Sequence, residues 1–148
     1  MEIIKVKTDE QLKEALSVRI EVFVEEQNVP RDLEMDEFDI SPQACRHFIV
    51  RNEHGETIAA ARWRMYDEQT AKLQRIAVRQ PYRGHGIGRI IIDAMEADIR
   101  EAKVPAVILD GQTQAEAFYR KLGYETISSE PFLDAGIWHV RMRKRLES

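Results

Sequence analysis

The sequence predicts an α+β fold of layered α/β type, in which a mixed, mostly antiparallel twisted sheet carries helices on both faces around a central βαβ unit. Three observations support this. Short apolar runs joined by turns dominate the first half, an amphipathic helix lies between two strand-like runs in the second half, and another helix follows. At 148 residues, 43% hydrophobic and 32% charged, the chain has the size of one compact domain, so we expect a single domain over residues 1–148.

The first half should begin with a strand and a helix. Residues 3–6 form a short apolar run of strand length. Thr8 and Gln11 fit a capping box, in which the Thr8 hydroxyl accepts a hydrogen bond from the amide three residues on and the Gln11 side chain reaches back. A helix is predicted after Thr8, followed by a second short helical piece over residues 18–25.

Apolar spacing and turn residues predict the remaining elements. Strands are predicted at residues 47–51, 57–65, 72–78, 105–109, 124–127 and 137–142. The first two are joined by a tight turn, which predicts an antiparallel pair. The helix over residues 87–102 buries one apolar stripe, with Glu96 expected to face away, and it joins two of the strands into a βαβ unit. A second helix over residues 113–122 should end at Gly123, where a left-handed cap belongs.

Three glycines alternate in the loop before the amphipathic helix, at Gly84, Gly86 and Gly88. Glycine permits a sharp turn and lets a ligand approach backbone amides. Free amides and the positive end of the helix dipole favour an anion there, and Arg83 adds a cation whose fork suits phosphate oxygens. The loop predicts a phosphate or pyrophosphate ligand, although a tight turn without a ligand would use the same glycines.

Two common phosphate-binding motifs do not fit this loop. A Walker A loop requires Gly-x-x-x-x-Gly-Lys-Ser/Thr, and the sequence has no such run. A dinucleotide-binding fingerprint requires glycine or alanine at the sixth position counted from Gly84, and that position is Arg89. A dinucleotide-binding enzyme is therefore the weaker alternative.

Two motifs in the second half resemble those of the GNAT superfamily of N-acetyltransferases. Residues 83–88, Arg-Gly-His-Gly-Ile-Gly, resemble its Arg/Gln-x-x-Gly-x-Gly/Ala signature, and residues 73–78 resemble its central strand. Residues 112–124 resemble its second motif, Asn-x-x-Ala-x-x-x-Tyr followed by Lys-x-Gly-Phe. The match covers roughly residues 72–124, and residues 22–30 are similar to the small bacterial ElaA-like group.

The resemblance implies the GNAT fold and an acetyl-CoA-dependent N-acetyltransferase that moves an acetyl group directly to a primary amine. In this family the pyrophosphate of coenzyme A binds the loop amides, and the pantetheine arm lies along the central strand. A bulge near Ile76 would splay that strand from its neighbour, and an amide there would polarise the thioester carbonyl. Gln112 replaces the usual Asn. The implied cofactor-binding residues are Ile76, Ala77, Val78, Arg83, Gly84, His85, Gly86, Ile87, Gly88 and Gln112.

The same resemblance implies that Tyr119 is the general acid for the leaving thiolate, because a phenol stays protonated at neutral pH. The alternative is a tyrosine that only packs on an amphipathic helix. Some family members carry a glutamate base on the central strand, but Arg75 stands at that position and cannot accept a proton. Unless water serves as the base, the candidates are Glu26, Asp110 and His139.

Residues 25–39 carry seven acidic side chains against one basic side chain, Arg31, and Pro30 interrupts the segment. This composition predicts an irregular, solvated acidic loop. A second hypothesis is that the carboxylates of Glu34, Asp36 and Glu37 form a substrate wall that attracts a cationic amine.

Composition narrows the function classes. A formal net charge of −4 disfavours a general nucleic-acid role, and the basic residues around Arg141 are expected to be a solvated strand end. Cys45 is the single cysteine, which excludes an internal disulfide and favours a buried thiol, and no metal site is expected. No apolar stretch approaches the ~20 residues of a membrane span, so we expect a cytoplasmic protein without a membrane partner.

The acceptor and the assembly stay open at this stage. A small-molecule amine and a peptide amine both fit, transfer of a longer acyl group is an alternative, and a homodimer is compatible with the sequence. The missing glutamate favours one rival from another class, a non-catalytic acyl-CoA-binding or regulatory module with the same fold.

Overall fold

The computed structural model describes residues 1–146, which contain one eight-stranded sheet with helices packed on it. The strands are Glu2–Lys5 (β1), Arg46–Arg51 (β2), Thr57–Asp67 (β3), Thr70–Val78 (β4), Ala106–Gln112 (β5), Glu125–Thr126 (β6), Phe132–Asp134 (β7) and Ile137–Arg145 (β8). The α-helices are Asp9–Arg19 (α1), Arg31–Glu34 (α2), Ile87–Glu101 (α3) and Glu116–Lys121 (α4). A π-helix spans Ile20–Glu26, and 3-10 turns span Glu37–Asp39, Gln80–Tyr82 and Thr113–Ala115.

The sheet is mixed, with the strand order β1-β2-β3-β4-β5-β8-β6, and β7 pairs with the first three residues of β8. β4 and β5 are parallel and are joined by α3, while the other six strand pairs within residues 1–146 are antiparallel. The predicted mixed, mostly antiparallel sheet with a central βαβ unit is therefore confirmed.

Helices cover both faces of the sheet, as predicted. Adjacent strand residues point to opposite faces. Ile49 of β2 packs in the cluster that contains α1, and its neighbour Val50 packs in the cluster that contains α3. Within the described part of the chain, no helix has both the length and the apolar character needed to cross a bilayer.

The two ends of α1 differ in how well the sequence predicted them. The capping box is confirmed, because the Gln11 amide donates to Thr8 Oγ1 at 3.1 Å and the Thr8 amide donates to Gln11 Oε1 at 3.3 Å. The second helical piece predicted over residues 18–25 is present as the π-helix Ile20–Glu26, but it continues directly from α1 and is not a separate element.

Two polar residues of the second half are more buried than their positions predicted. Glu96 of α3 was expected to face solvent, but it is only 3% exposed. It accepts hydrogen bonds from the Tyr124 hydroxyl at 2.8 Å and from Lys144 Nζ at 2.9 Å. The prediction was wrong because both partners are distant in the chain: Tyr124 directly precedes β6, and Lys144 lies in β8. The basic residues around Arg141, which were expected to face solvent, are therefore partly ion-paired, since Lys144 binds Glu96.

The expectation of a buried thiol at Cys45 is confirmed.

The prediction of an irregular, solvated loop over residues 25–39 is wrong in part, because α2 and a 3-10 turn fold three of the seven acidic side chains onto two buried arginines. Arg19 Nε donates to Glu34 Oε2 at 2.7 Å, and its terminal nitrogens donate to Asp39 at 2.7 and 2.9 Å. Arg62 binds both oxygens of Asp36, at 2.7 and 2.6 Å, and Asp39 at 2.8 Å. Glu34 and Asp36 are therefore paired within the fold, whereas Glu37, the third carboxylate of the hypothetical substrate wall, is exposed.

Candidate active site

β4 carries a bulge at Arg75 and Ile76, where two residues lie opposite Ala61 of β3. Arg75 has a φ of +56°, in the left-handed region that residues other than glycine adopt rarely. The bulge turns the end of β4 away from its neighbour on the other side. The predicted bulge near Ile76 is confirmed.

β4 and β5 separate at this bulge, as predicted. Their parallel pairing begins at Thr70 with Ala106 and ends at Leu73 with Leu109. β5 continues to Gln112, but it is then paired only with β8. Beyond Leu73, the edge of β4 that faces β5 has no strand partner within residues 1–146, so its backbone groups are open to a ligand.

A cleft of about 360 Å³ fills the gap between the two strands. One wall is formed by the π-helix and α2, with Phe23 and Glu34. The opposite wall is formed by α4 and the β7–β8 hairpin, with Tyr119, Ile137 and His139. Residues 1–146 contain no cluster of three or more histidine, cysteine or acidic side chains that could hold a metal ion.

The glycine loop lies directly before α3. Gly84 and Gly86 have φ values of +81° and +79°, which residues with a Cβ rarely adopt. Gly86 is the N-terminal cap of α3, and no side chain caps the first turn. The first amides of this 15-residue helix are therefore free to donate to an anion.

The other loop positions can contribute only some of their atoms. The Ile87 side chain is 3% exposed and belongs to the core, so its amide alone can contact a ligand. His85 is exposed. A Cβ at Gly88 would lie 3.2 Å from Phe118 Cζ, so glycine allows α4 to approach the start of α3. The geometry of the loop therefore favours contacts between a ligand and the backbone amides over contacts between a ligand and the side chains.

Arg83 is held by a carboxylate in this structure. Its Nη1 and Nη2 atoms donate to Glu26 at 2.6 and 2.8 Å, and its Nε donates to the Val78 carbonyl at 2.9 Å. Glu26 was a candidate base, but it does not line the cleft between β4 and β5. The geometry does not support that role, because the carboxylate is engaged by Arg83 near the glycine loop.

Asp110 lines the cleft, but two cations hold it as a carboxylate. Arg141 donates to it at 2.8 and 3.1 Å, and Lys72 Nζ lies 3.1 Å from it. Burial raises the pKa of Asp110, but the hydrogen bond from Arg141 and the charge of Lys72 outweigh burial, so its pKa lies below the usual range. Asp110 is therefore unsuited to accept a proton at neutral pH.

Tyr119 of α4 presents its ring to the cleft. Burial raises the pKa of Tyr119 to about 12, so the phenol stays protonated across the physiological range. Its hydroxyl has no hydrogen-bond partner in the described chain. The ring is positioned edge-on by Phe118 and Tyr124, at centroid distances of 5.2 and 6.3 Å. The hydroxyl is available to a ligand in the cleft.

Gly111 of β5 sets how closely the Tyr119 ring approaches the strand. A Cβ at position 111 would lie 2.9 Å from both Cδ2 and Cε2 of Tyr119. We expect Gly111→Ala to displace the ring and to lower kcat for acyl transfer about tenfold or more, because a misplacement of about 1 Å can cost a factor of about 10². Steady-state kinetics with acetyl-CoA and an amine measure this effect.

A double variant tests whether the effect passes through Tyr119. Gly111→Ala introduced into Tyr119→Phe should lower kcat little further, since coupled residues are not additive. Additive losses, or wild-type kcat in Gly111→Ala, would contradict this role of Gly111.

Gln112 lines the cleft at the end of β5, and its Nε2 donates to Gln27 Oε1 at 2.9 Å. The Gln112 side chain thus links the end of β5 to the residue that follows the π-helix. A ligand that used this amide would have to share it with Gln27.

Glu34, one of the three carboxylates considered for a substrate wall, lines the cleft. It is 2% exposed, and its Oε1 lies 3.0 Å from Nε of Arg75, on the bulge. Burial raises the pKa of Glu34, although the charges of Arg19 and Arg75 oppose this effect. No local signal could have placed Glu34 here, since its partners lie 15 and 41 positions away.

Comparisons with known proteins agree with this geometry. Residues 5–146 match the Acetyltransferase (GNAT) domain family. The uncharacterized N-acetyltransferase YjcF of Bacillus subtilis (strain 168) is 43% identical over 144 residues, which are 97% of this chain and 99% of that protein.

Two solved structures have the same fold. An acyl-CoA N-acyltransferase from Pseudomonas aeruginosa is 25% identical, with a TM-score of 0.82 over 97% of this chain and 99% of that one. Escherichia coli ElaA is 24% identical, with a TM-score of 0.81 over 97% of each chain. Both the family match and the shared fold lead to one conclusion: this chain belongs to the GNAT acetyltransferase family.

Proposed function

We propose that this protein transfers an acetyl group from acetyl-CoA directly to a primary amine of a small molecule or a peptide. One observation carries the proposal. The edge of β4 is open beyond Leu73, the helix α3 that follows β4 starts with uncapped amides, and a protonated phenol without a hydrogen-bond partner among residues 1–146 lines the cleft.

The donor site follows from the open backbone groups. The diphosphate of coenzyme A would accept hydrogen bonds from the amides of the glycine loop and the first turn of α3. The pantetheine arm would pair with the free edge of β4 at Ile76, Ala77 and Val78, as an added strand does. The Pseudomonas aeruginosa relative is named for acyl-CoA, which supports this donor class.

The transfer needs two contributions from the chain. The amine nitrogen attacks the thioester carbonyl carbon, and a backbone amide at Ile76 stabilises the negative charge that develops on the carbonyl oxygen. The carbon–sulfur bond then breaks, and Tyr119 hydrogen-bonds to the departing sulfur and supplies its proton.

The activity is tested by thiol release from acetyl-CoA with a panel of primary amines. We expect release that depends on the amine and saturates with it. Binding of acetyl-CoA without release in the presence of any amine would instead support a non-catalytic acyl-CoA-binding module.

The pair of Glu26 and Arg83 gives a prediction for the donor site. Because Glu26 competes with phosphate for the Arg83 guanidinium, we expect Glu26→Gln to lower the Kd for CoA about 1.4- to fivefold, in line with ~0.2–1 kcal/mol for an exposed ion pair. Arg83→Gln should raise the Kd about tenfold. Isothermal titration with CoA at fixed ionic strength measures both changes.

Glu21→Gln provides the matched control. Glu21 pairs with Arg79 at 3.0 Å on the same π-helix, so the variant removes an equivalent charge without freeing Arg83. The Kd for CoA should stay unchanged in this control. Weaker CoA binding by Glu26→Gln would contradict the competition.

A further inference from the structure

We propose that His139 of β8 is the catalytic base, which takes the proton from the ammonium form of the acceptor. This inference rests on the proposed amine acetylation and assigns a step that Tyr119 cannot perform. His139 lines the cleft between β4 and β5, on the wall formed by the β7–β8 hairpin.

The hydrogen bond of His139 determines which ring nitrogen can accept a proton. Nδ1 lies 2.7 Å from the carbonyl oxygen of Ile137. A carbonyl oxygen has no proton to give, so Nδ1 must carry the hydrogen of this bond. In the neutral ring, Nε2 then has the lone pair, and it has no hydrogen-bond partner among residues 1–146.

Phe132 of β7 positions the ring by stacking on it, with a centroid distance of 6.2 Å and an interplanar angle of 23°. In the strand register, His139 lies opposite Gln112 of β5, one residue beyond Gly111, which the Tyr119 ring approaches. The base and the acid both line the cleft at this end of β5.

The carboxylates of the cleft are occupied by cations. Both oxygens of Glu34 are paired, one with Arg19 and the other with Arg75, so protonation would leave buried guanidiniums without their partner. Asp110 is paired with Arg141 and Lys72. The charged groups that face the region of His139 from β4, β5, β7, β8 and α2 are Lys72, Arg75, Asp110, Asp134, Arg141 and Glu34.

The acceptor nitrogen loses two protons during the transfer, one to His139 and one to Tyr119. Nε2 of His139 takes one proton from the ammonium group, and the neutral nitrogen forms its bond to the thioester carbon. The sulfur leaves with the electrons of the carbon–sulfur bond and takes the proton of Tyr119. After the attack the acceptor nitrogen still carries two protons, and it gives one of them to the Tyr119 phenolate, which leaves the neutral amide. His139 then releases its proton to water.

A kinetic experiment separates a base from a structural histidine. The probe acceptor is tyramine, which is cationic at pH 7, and the variant is His139→Gln. We expect kcat/KM for tyramine at pH 7 to fall about 10²-fold, the usual scale of general-base catalysis, with an unchanged KM for acetyl-CoA. The deficit should shrink as the pH rises, since tyramine then loses its proton to water. His54→Gln, in an exposed turn, should retain wild-type rates.

Three outcomes overturn the inference. A loss below about threefold, or a large loss that does not change with pH, would mean that His139 does not take the proton. An Nε2–H tautomer of His139, measured by nitrogen-15 NMR of the histidine rings in the full chain, would also overturn it, whereas the Nδ1–H tautomer supports it. Absence of transfer by the wild-type protein to any amine would instead count against the proposed function.

Discussion

Arg62→Ala should lower the free energy of unfolding by about 3–5 kcal/mol, the scale expected when one partner of a buried ion pair is removed. Arg62 is fully buried and binds both oxygens of Asp36 as well as Asp39. Without its guanidinium, the buried Asp39 keeps only Arg19 as a cationic partner, and the partly exposed Asp36 loses two hydrogen bonds. Urea unfolding at pH 7 measures the loss.

A surface arginine provides the control for this prediction. Arg89 lies 3.8 Å from Asp93 on the exposed side of α3. Arg89→Ala should change the unfolding free energy by less than about 1 kcal/mol, as exposed pairs contribute little. Equal losses in the two variants would contradict the assignment of Arg62 to the stability of the fold.

The buried cluster of Arg19, Arg62 and Asp39 should make the free energy of unfolding depend on pH in the acid range. Burial raises the pKa of Asp39, but the hydrogen bond and charge of Arg19 and the charge of Arg62 outweigh burial and hold the pKa well below its usual range. The stabilisation is complete above the unfolded pKa of about 3.9 and is lost as the pH falls toward the folded value. In Arg62→Ala the stability should vary less with pH below about 4, because the pKa of Asp39 returns toward normal.

Tyr119→Phe should lower kcat for acetyl transfer by about 10² or more, the scale of a general acid. The phenol hydroxyl has no protein partner to lose within residues 1–146, so the unfolding free energy should change little. Because burial raises the pKa of Tyr119 to about 12, its ionisation should cause no loss of wild-type activity between pH 7 and 10.

Tyr66→Phe is the matched hydroxyl deletion. The Tyr66 hydroxyl accepts a hydrogen bond from Arg141 and does not line the cleft, so this variant should keep wild-type kcat. A kcat for Tyr119→Phe within a few-fold of wild type would reduce Tyr119 to a packing residue.

The sequence was sufficient to predict the conformation of the glycine loop. The alternating glycines before an amphipathic helix predict an anion-binding turn from local backbone chemistry, and Gly84 and Gly86 have the expected left-handed conformation. The bulge of β4 came from the family resemblance alone, since nothing in residues 72–78 demands a positive φ at Arg75. The three-residue strand β7 was missed because a run this short has no measurable alternation.

The buried ion pairs could not be predicted, because their partners are distant in the chain. Arg19 looks like an ordinary basic residue at the end of a helix, yet its partners lie 15 and 20 positions away. Glu96 was placed on the wrong side of its helix for the same reason, since Tyr124 lies 28 positions away and makes burial of a carboxylate tolerable. For the base, the sequence offered three candidates, and only the hydrogen bonds of the folded chain distinguish them.

Direct acetyl transfer in the gap between β4 and β5 is the central claim, and labelled acetyl-CoA tests it most directly. The protein is mixed with acetyl-CoA that carries an isotopic label in the acetyl group, tyramine is added, and protein and small molecules are analysed by mass spectrometry over one turnover. We expect the label to appear in the tyramine amide as fast as CoA is released, with none on the protein, and about 10²-fold more slowly in Tyr119→Phe. Label retained on CoA or attached to the protein, or an unchanged rate in Tyr119→Phe, would contradict it.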